Sequence, residues 1–408
     1  SPPVIPTAMS KSAKPDKNPA GYVDRWYHAK IWHGFEFFAW MRLLIRNRFA
    51  VGWHMVPAAI IITFFSIFHT LLRGVQWLLL GIPLMRAKIE KPPVFIIGHW
   101  RSGTTLLHEL MVLDDRHIFP NTYQCFAPNH FLISEWIATR LFGFLMPKQR
   151  PMDNMAMGWK RPQEDEFALC ALGQPSPYWT IAFPNHPPQF QEYLDLKQVP
   201  PAAVARWQKT LLRFMQHLSF RRSDKRLILK SPTHTARVRV LLDLFPDARF
   251  IHIVRDPYTV YASTVNLWKK MYQAEGLQRP KYEGLEEYVF NTFIQMYDAF
   301  EGDRHLLNER QFYEIRYEDL VADPIGQLRA IYEQLDLGDF EPAIPALERY
   351  LEETGDYKTN RYEITDELRA QVTKRWARYI QQFGYGDATA AVQGGSNSDS
   401  DNKDAPAA

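Results

Sequence analysis

Cysteine is nearly absent: among 408 residues only Cys125 and Cys170 occur. They form neither a CxxC pair nor part of a histidine-rich cluster. This excludes a disulfide scaffold and a structural zinc site, and it fits a reducing compartment. Charge of one sign is equally scarce. The formal net charge is +3 and no run of lysine and arginine exceeds a pair, so the basic footprint of a nucleic-acid-binding protein is missing. No internal repeat is visible, and no carboxylate cluster has the context of a magnesium site. Residues 1–35 hold no apolar core of the secretory-signal kind. The chain opens on Ser1, and the native start is expected at Met9 or upstream of it.

What is present is an ordinary globular composition with extra aromatics, 46% hydrophobic and 14% aromatic, enough for a sizeable core. Composition divides the chain into four parts. Residues 1–35 read as a polar arm and 387–408 as a disordered tail, both rich in polar residues without periodicity. Residues 36–90 are markedly apolar. Phe49 to Leu72 is an uncharged run long enough to span a bilayer as a helix, whereas Gly74 to Met85 is too short. Pro57, His54 and His69 interrupt the longer run. Arg42, Arg46 and Arg48 precede it while Arg73, Arg86, Lys88 and Lys91 follow, so charge gives no orientation. The expectation is a monotopic helical pair lying in one leaflet on the cytoplasmic side, with Trp53 and Trp77 at headgroup level. A hairpin packed on the soluble domain, a homodimer interface and a true span stay open beside it.

From residue 91 to 386 short β-branched runs alternate with amphipathic stretches. The strands are expected at Val94–Ile97, Leu227–Leu229, Phe250–Val254 and Tyr313–Arg316, and the helices at Thr104–Leu113, Thr235–Leu244, Tyr258–Lys270 and Pro324–Leu335. That alternation indicates an α/β fold, a parallel sheet flanked by helices, whose ligands bind at the carboxyl ends of the strands.

Three clusters fall at such ends. Gly98-His99-Trp100-Arg101-Ser102-Gly103-Thr104-Thr105 carries a strand into a helix, the context of a phosphate-binding loop, with helix N–H groups to receive an anion. Its glycine spacing equals that of a Walker A loop, but Thr104 stands where the lysine would be. The cation is instead Arg101, whose planar fork suits phosphate or sulfonate oxygens. Arg255, in Val254-Arg255-Asp256-Pro257, precedes Ser263 by about two helical turns, so both can face one anion. Lys230, in Lys230-Ser231-Pro232, leaves a third strand at the same edge.

Together, in this order, the RSGTT loop, the KSP turn and the VRDPxxVxxS segment resemble the sulfotransferases that use 3′-phosphoadenosine 5′-phosphosulfate, above all the branch with the protein-tyrosine and many bacterial sulfotransferases. The resemblance covers roughly Pro92 to Tyr385. It implies that Arg101, Ser102, Gly103, Thr104 and Thr105 hold the 5′-phosphosulfate and that Arg255 and Ser263 hold the 3′-phosphate. It also implies that Lys230 stabilises the leaving group or the sulfonate, that Lys358 and Arg361 sit in a basic loop closing over the nucleotide, and that no metal is needed. Tyr317-Glu318-Asp319-Leu320 looks like a structural YEDL segment of the family, and a last helix is expected over about 365–383.

The chain departs from the pattern where a general base is needed, since the stretch from Asn121 to His130 holds no carboxylate. Three replacements remain: His130, whose imidazole has a suitable ordinary pKa, and Glu164 and Glu166 of the acidic triplet Glu164-Asp165-Glu166. His108 and His234 are weaker candidates. The acceptor would be a hydroxyl of a glycan, glycolipid or lipid. Trp136, Trp159, Tyr178, Trp179 and Phe183, all between the first two motif strands, could cover it or could be core. The competing readings are a P-loop-type kinase or hydrolase and a non-catalytic membrane-associated scaffold.

Overall fold

The computed structural model describes Tyr27 and residues 30–141, 158–354 and 364–386. Five strands make one sheet: β1 (Val94–Ile97), β2 (His117–Ile118), β3 (Arg226–Lys230), β4 (Arg249–Val254) and β5 (Phe312–Arg316). Their order is β2-β3-β1-β4-β5 and every neighbouring pair is parallel. Four are the β-branched runs of the sequence. The very short β2 has no room to show a period.

Side chains alternate between two separate cores because successive strand residues point to opposite faces. Phe95, Leu227, Leu229 and Phe250 enter one; Val94, Ile96, Ile228 and Ile251 enter the other. A strand buried on both faces reads as a continuous apolar run, which is why β1 showed in the sequence as Val-Phe-Ile-Ile. Fifteen helices are described: α1 (Phe37–Arg46), α2 (Val56–Met85), α3 (Thr104–Met111), α4 (Thr122–Phe126), α5 (Phe131–Leu141), α6 (Asp165–Ala171), α7 (Pro201–Ser219), α8 (Val238–Leu244), α9 (Pro257–Glu275), α10 (Leu285–Arg304), α11 (Tyr317–Ala322), α12 (Pro324–Gln334), α13 (Ile344–Thr354), α14 (Asp366–Arg375) and α15 (Ala377–Gln382). Helices α3, α11, α12 and α13 cover the second core, while the first is covered by α1, α6 to α10, α14 and α15. Two expected helices are broken. Thr235–Leu244 divides into the short turn Pro232–Ala236 and α8, and the last helix divides at Trp376.

Register fixes the site. Ile96 lies beside Lys230 on one side and Ile251 on the other, so β1, β3 and β4 release their loops at one edge. The chain leaves β1 toward β2 and leaves β4 toward β5, in opposite directions across the sheet. Loops that part in this way open a crevice between their strands.

The apolar segment differs from the expected helical pair. It is one continuous helix of 30 residues, α2, preceded by the short turn Trp53–Met55. Pro57 sits in its first turn, where the missing N–H costs nothing. Arg73 and Gly74, which divide the two runs in the sequence, do not interrupt it. By length and composition α2 could cross a membrane.

Candidate active site

The loop between β1 and α3 is shaped by its two glycines. Gly98 has a φ of 144° and Gly103 a φ of 106°, backbone that side-chain-bearing residues avoid. A Cβ on Gly103 would strike the Tyr317 ring. Gly103 also caps α3, and no side chain caps that helix end. The positive end of α3 therefore faces the crevice. Thr235 accepts the N–H of Gly98 at 2.7 Å and locks the loop to the β3 side. Ser102 is wholly buried and gives its hydroxyl and its N–H to the His99 carbonyl, at 2.8 and 3.1 Å. Both of its donors are used inside the loop, which they shape.

Arg101 has a φ of 70°, strained for a residue with a side chain. Its Nε donates to Ser263 Oγ at 2.8 Å. Arg255 donates from a terminal guanidinium nitrogen to the Arg101 carbonyl at 3.1 Å, and its guanidinium stacks on Tyr317 at 4.0 Å. Among the described residues no carboxylate pairs with Arg255. The Asp256-Pro257 step explains how Ser263 arrives there. Asp256 caps α9 by accepting the Thr259 N–H at 2.9 Å and Pro257 opens its first turn, which sets Ser263 two turns in and facing the loop. Two guanidiniums, a hydroxyl and a bare helix N-terminus thus converge on one crevice.

On the β3 side, Lys230 is 1% exposed and its Nζ donates to Glu164 Oε1 at 2.8 Å, with Thr105 Oγ1 at 3.4 Å. The other Glu164 oxygen accepts the Tyr178 hydroxyl at 2.5 Å, and that hydroxyl in turn accepts Trp100 Nε1 at 2.8 Å. Glu164, far from Thr105 and Trp100 in sequence, is tied in this way to the phosphate loop.

The structure separates the remaining candidates. Glu166 is fully buried. Arg237 donates to it at 2.6 and 3.1 Å, and Ser176 and Thr233 bond it as well, so its carboxylate is fully occupied away from Lys230. Burial would raise it, but the Arg237 charge and these bonds hold it below the usual glutamate range. Asp165 is bound by Ser231 at 2.8 Å and His234 at 2.7 Å, which leaves His234 in a structural pair. His130 is buried between helices, hydrogen-bonded to His69 of α2 at 2.5 Å and to Ser134 at 2.8 Å. Burial, with His69 beside it, pushes its imidazole down to about 3. Such a ring is a poor proton acceptor near neutrality and bonds neither Glu164 nor Lys230. His108 is buried on α3 against Phe119. Trp179 and Phe183 are core, Trp159 meets Tyr123, and Trp136 is exposed on α5. Lys358 and Arg361 lie outside the described residues. Among the described residues, no group of three or more His, Cys, Asp or Glu could hold a metal.

Sequence reasoning undervalued Tyr178 and Tyr317. Tyr178 was one of several aromatics in a long insertion, and nothing local marked it. Tyr317, first residue of the YEDL segment, carries a signal: it follows β5 at the same sheet edge. Glu318 is structural as expected, accepting the Asp256 N–H and the Tyr385 hydroxyl.

The family profile described as the sulfotransferase family matches residues 92–342. An omega-hydroxy-beta-dihydromenaquinone-9 sulfotransferase, Stf3, of Mycobacterium bovis is 51% identical over 368 residues, covering 89% of this chain and 94% of that protein. Its Mycobacterium tuberculosis counterpart matches to the same extent. Among solved structures, the sulfotransferase STF1 from Mycobacterium tuberculosis superposes with a TM-score of 0.61 at 21% identity, covering 83% of this chain and 91% of that one. STF9 from Mycobacterium avium gives 0.61 at 18% identity, covering 86% and 96%. These two likenesses speak to the fold.

Proposed function

Because the chain belongs to the sulfotransferase family, we propose that it moves a sulfuryl group from 3′-phosphoadenosine 5′-phosphosulfate to a lipid hydroxyl, with an ω-hydroxylated dihydromenaquinone as the acceptor to try. Family membership sets aside the nucleotide hydrolase. The 51% identical relative, whose name gives a menaquinone acceptor, favours a lipid over a glycan. The observation that carries the reading is the meeting at one sheet edge of Arg101, Arg255 and Ser263 with the Lys230–Glu164 pair.

The residues present fit a donor with phosphate at both ends of its ribose. The end of α3 without a side-chain cap, with Lys230 and Thr105 beside it, marks one anion site, and Arg255 and Ser263, each joined to the loop at Arg101, mark the other. In this assignment the N–H groups at the start of α3, with Arg101, Thr104 and Thr105, hold the 5′-phosphosulfate, and Arg255 and Ser263 hold the 3′-phosphate. When bound, the donor supplies a sulfur whose bond to the 5′-phosphate oxygen breaks as the acceptor oxygen bonds to it. Positioning and electrostatics dominate such a transfer, as in phosphoryl transfer. Glu164 receives the acceptor proton at a carboxylate oxygen. Tyr178 and Lys230 aim that carboxylate, and the Lys230 ammonium stabilises charge on the departing phosphate.

Calorimetric titration with adenosine 3′,5′-bisphosphate, the donor product, tests the donor site. The wild type binds, and Arg255→Ala and Ser263→Ala each weaken binding by roughly ten- to hundredfold, the worth of a charge-assisted hydrogen bond. Failure of the wild type to bind overturns the reading.

A further inference from the structure

Helix α2 is amphipathic in the inverted sense. Its inward side carries the polar groups, and four of them bond the body of the protein. Thr63 accepts Trp40 Nε1 at 2.9 Å, Thr70 accepts the Phe37 N–H at 3.0 Å, His69 meets His130 and Gln76 accepts the Leu132 N–H at 3.1 Å. Its outward side is apolar: Ile60, Phe64, Leu71, Trp77, Leu78 and Ile82 are all exposed, Leu78 by 78%. A core helix of a soluble protein has the opposite pattern. Phe38 and Ile45 of α1 and Trp136 and Leu141 of α5, two helices that bond α2, are exposed as well. Contiguous apolar exposure on this scale marks an interaction surface.

Charge and packing identify the occupant. From Phe37 to Ile89 the sequence holds no Asp or Glu, and Arg42, Arg46, Arg48, Arg86 and Lys88 are exposed, whereas Arg73 is paired with Glu36. Apolar surface among cations matches an anionic lipid leaflet. A twofold dimer through the same surface would set these cations against themselves. The buried positions of α2 run from Ala58 to Leu84, a stretch of about 39 Å at helical rise, so the helix rests on the body along nearly its whole length. A helix so attached cannot cross a bilayer while the body stays in water.

We propose that α2, with the exposed apolar residues of α1 and α5, lies flat in one leaflet of an anionic membrane and holds the enzyme there. This surface stands apart from the donor and acceptor assignments.

Flotation of the full chain with phosphatidylglycerol–phosphatidylcholine vesicles tests it, beside the variant Phe64→Glu/Leu71→Glu/Leu78→Glu. These outward side chains are 67%, 64% and 78% exposed, so their replacement costs little internal packing. The wild type is expected to float, and the variant to lose roughly a hundredfold in apparent vesicle affinity while its adenosine 3′,5′-bisphosphate binding stays unchanged. Equal flotation of both overturns the proposal. So does a vesicle-free wild type that is dimeric by light scattering, does not float, and becomes monomeric in the variant. Depth is read from a nitroxide on Phe68→Cys, the native Cys125 and Cys170 being buried. A flat helix places the label just below the headgroups. A label at the bilayer centre means a span and overturns the proposal.

Discussion

Lys230 and Glu164 sit 2.8 Å apart, with side chains 1% and 15% exposed. At an effective dielectric constant of about 20, unit charges that close attract by roughly 6 kcal/mol before desolvation is subtracted. Each therefore depends on the other for its position. Replacing Glu164 by Gln keeps an acceptor for Lys230 and removes the base, while Lys230→Met keeps the stem and removes the ammonium. Loss of a general base costs about 10²–10⁴-fold, and loss of a fixed donor to developing charge about 10²–10³-fold. Independent groups would multiply these losses. Residues acting as a unit do not. The double variant is thus expected within about tenfold of the worse single variant in kcat. The assay is a double-mutant cycle on initial transfer rates at saturating donor, with far-UV circular dichroism to show that all four proteins are folded. Losses that multiply in full, or a Glu164→Gln enzyme as fast as wild type, refute the paired role.

Three other outcomes follow from particular contacts. Gly103→Ala places a methyl against the Tyr317 ring in a left-handed backbone, so thermal unfolding should show about 1–3 kcal/mol lost together with weaker bisphosphate binding; an unchanged Tm contradicts it. Glu166→Gln leaves the buried Arg237 without its counter-charge, at a cost of about 3–5 kcal/mol by urea unfolding, and an effect below about 1 kcal/mol contradicts its structural role. Burial holds the His99 imidazole down at about 3. Its folded pKa is therefore below the unfolded value, so its contribution is complete above about pH 6.5 and is lost as pH falls toward 3. That alone lowers stability by about 2 kcal/mol between pH 6.5 and 5, and an unchanged urea midpoint over that interval contradicts it.

The sheet was legible because β1, β3 and β4 are buried on both faces, so β1 and β3 carry unbroken apolar runs and β4 one interrupted by His252 alone. The phosphate loop was legible because Gly98, Arg101 and Gly103 lie close together in one short segment. What could not be read was contact across long separations. Nothing local distinguishes Glu164 from Glu166, two residues apart. One faces Lys230 and the other Arg237 because α6 starts between them and turns their side chains to different neighbours. His130 looked suitable by its ordinary pKa, and only burial against His69 shows otherwise. The apolar run was divided at Arg73-Gly74, but Arg73 pairs with Glu36 at 2.6 Å and keeps one helix continuous along the body. Residues that act through tertiary hydrogen bonds, as Tyr178 does, leave no periodic or motif signal.

The central claim, sulfuryl transfer at the sheet edge where β1, β3 and β4 release their loops, is tested most directly by transfer of radiolabelled sulfur from 3′-phosphoadenosine 5′-phosphosulfate to lipid and polysaccharide extracts. Wild type is compared with Arg101→Ala and Lys230→Ala. Label entering the lipid fraction with wild type, and falling at least about a hundredfold in both variants, is the expected result. Undiminished transfer in both variants contradicts the account.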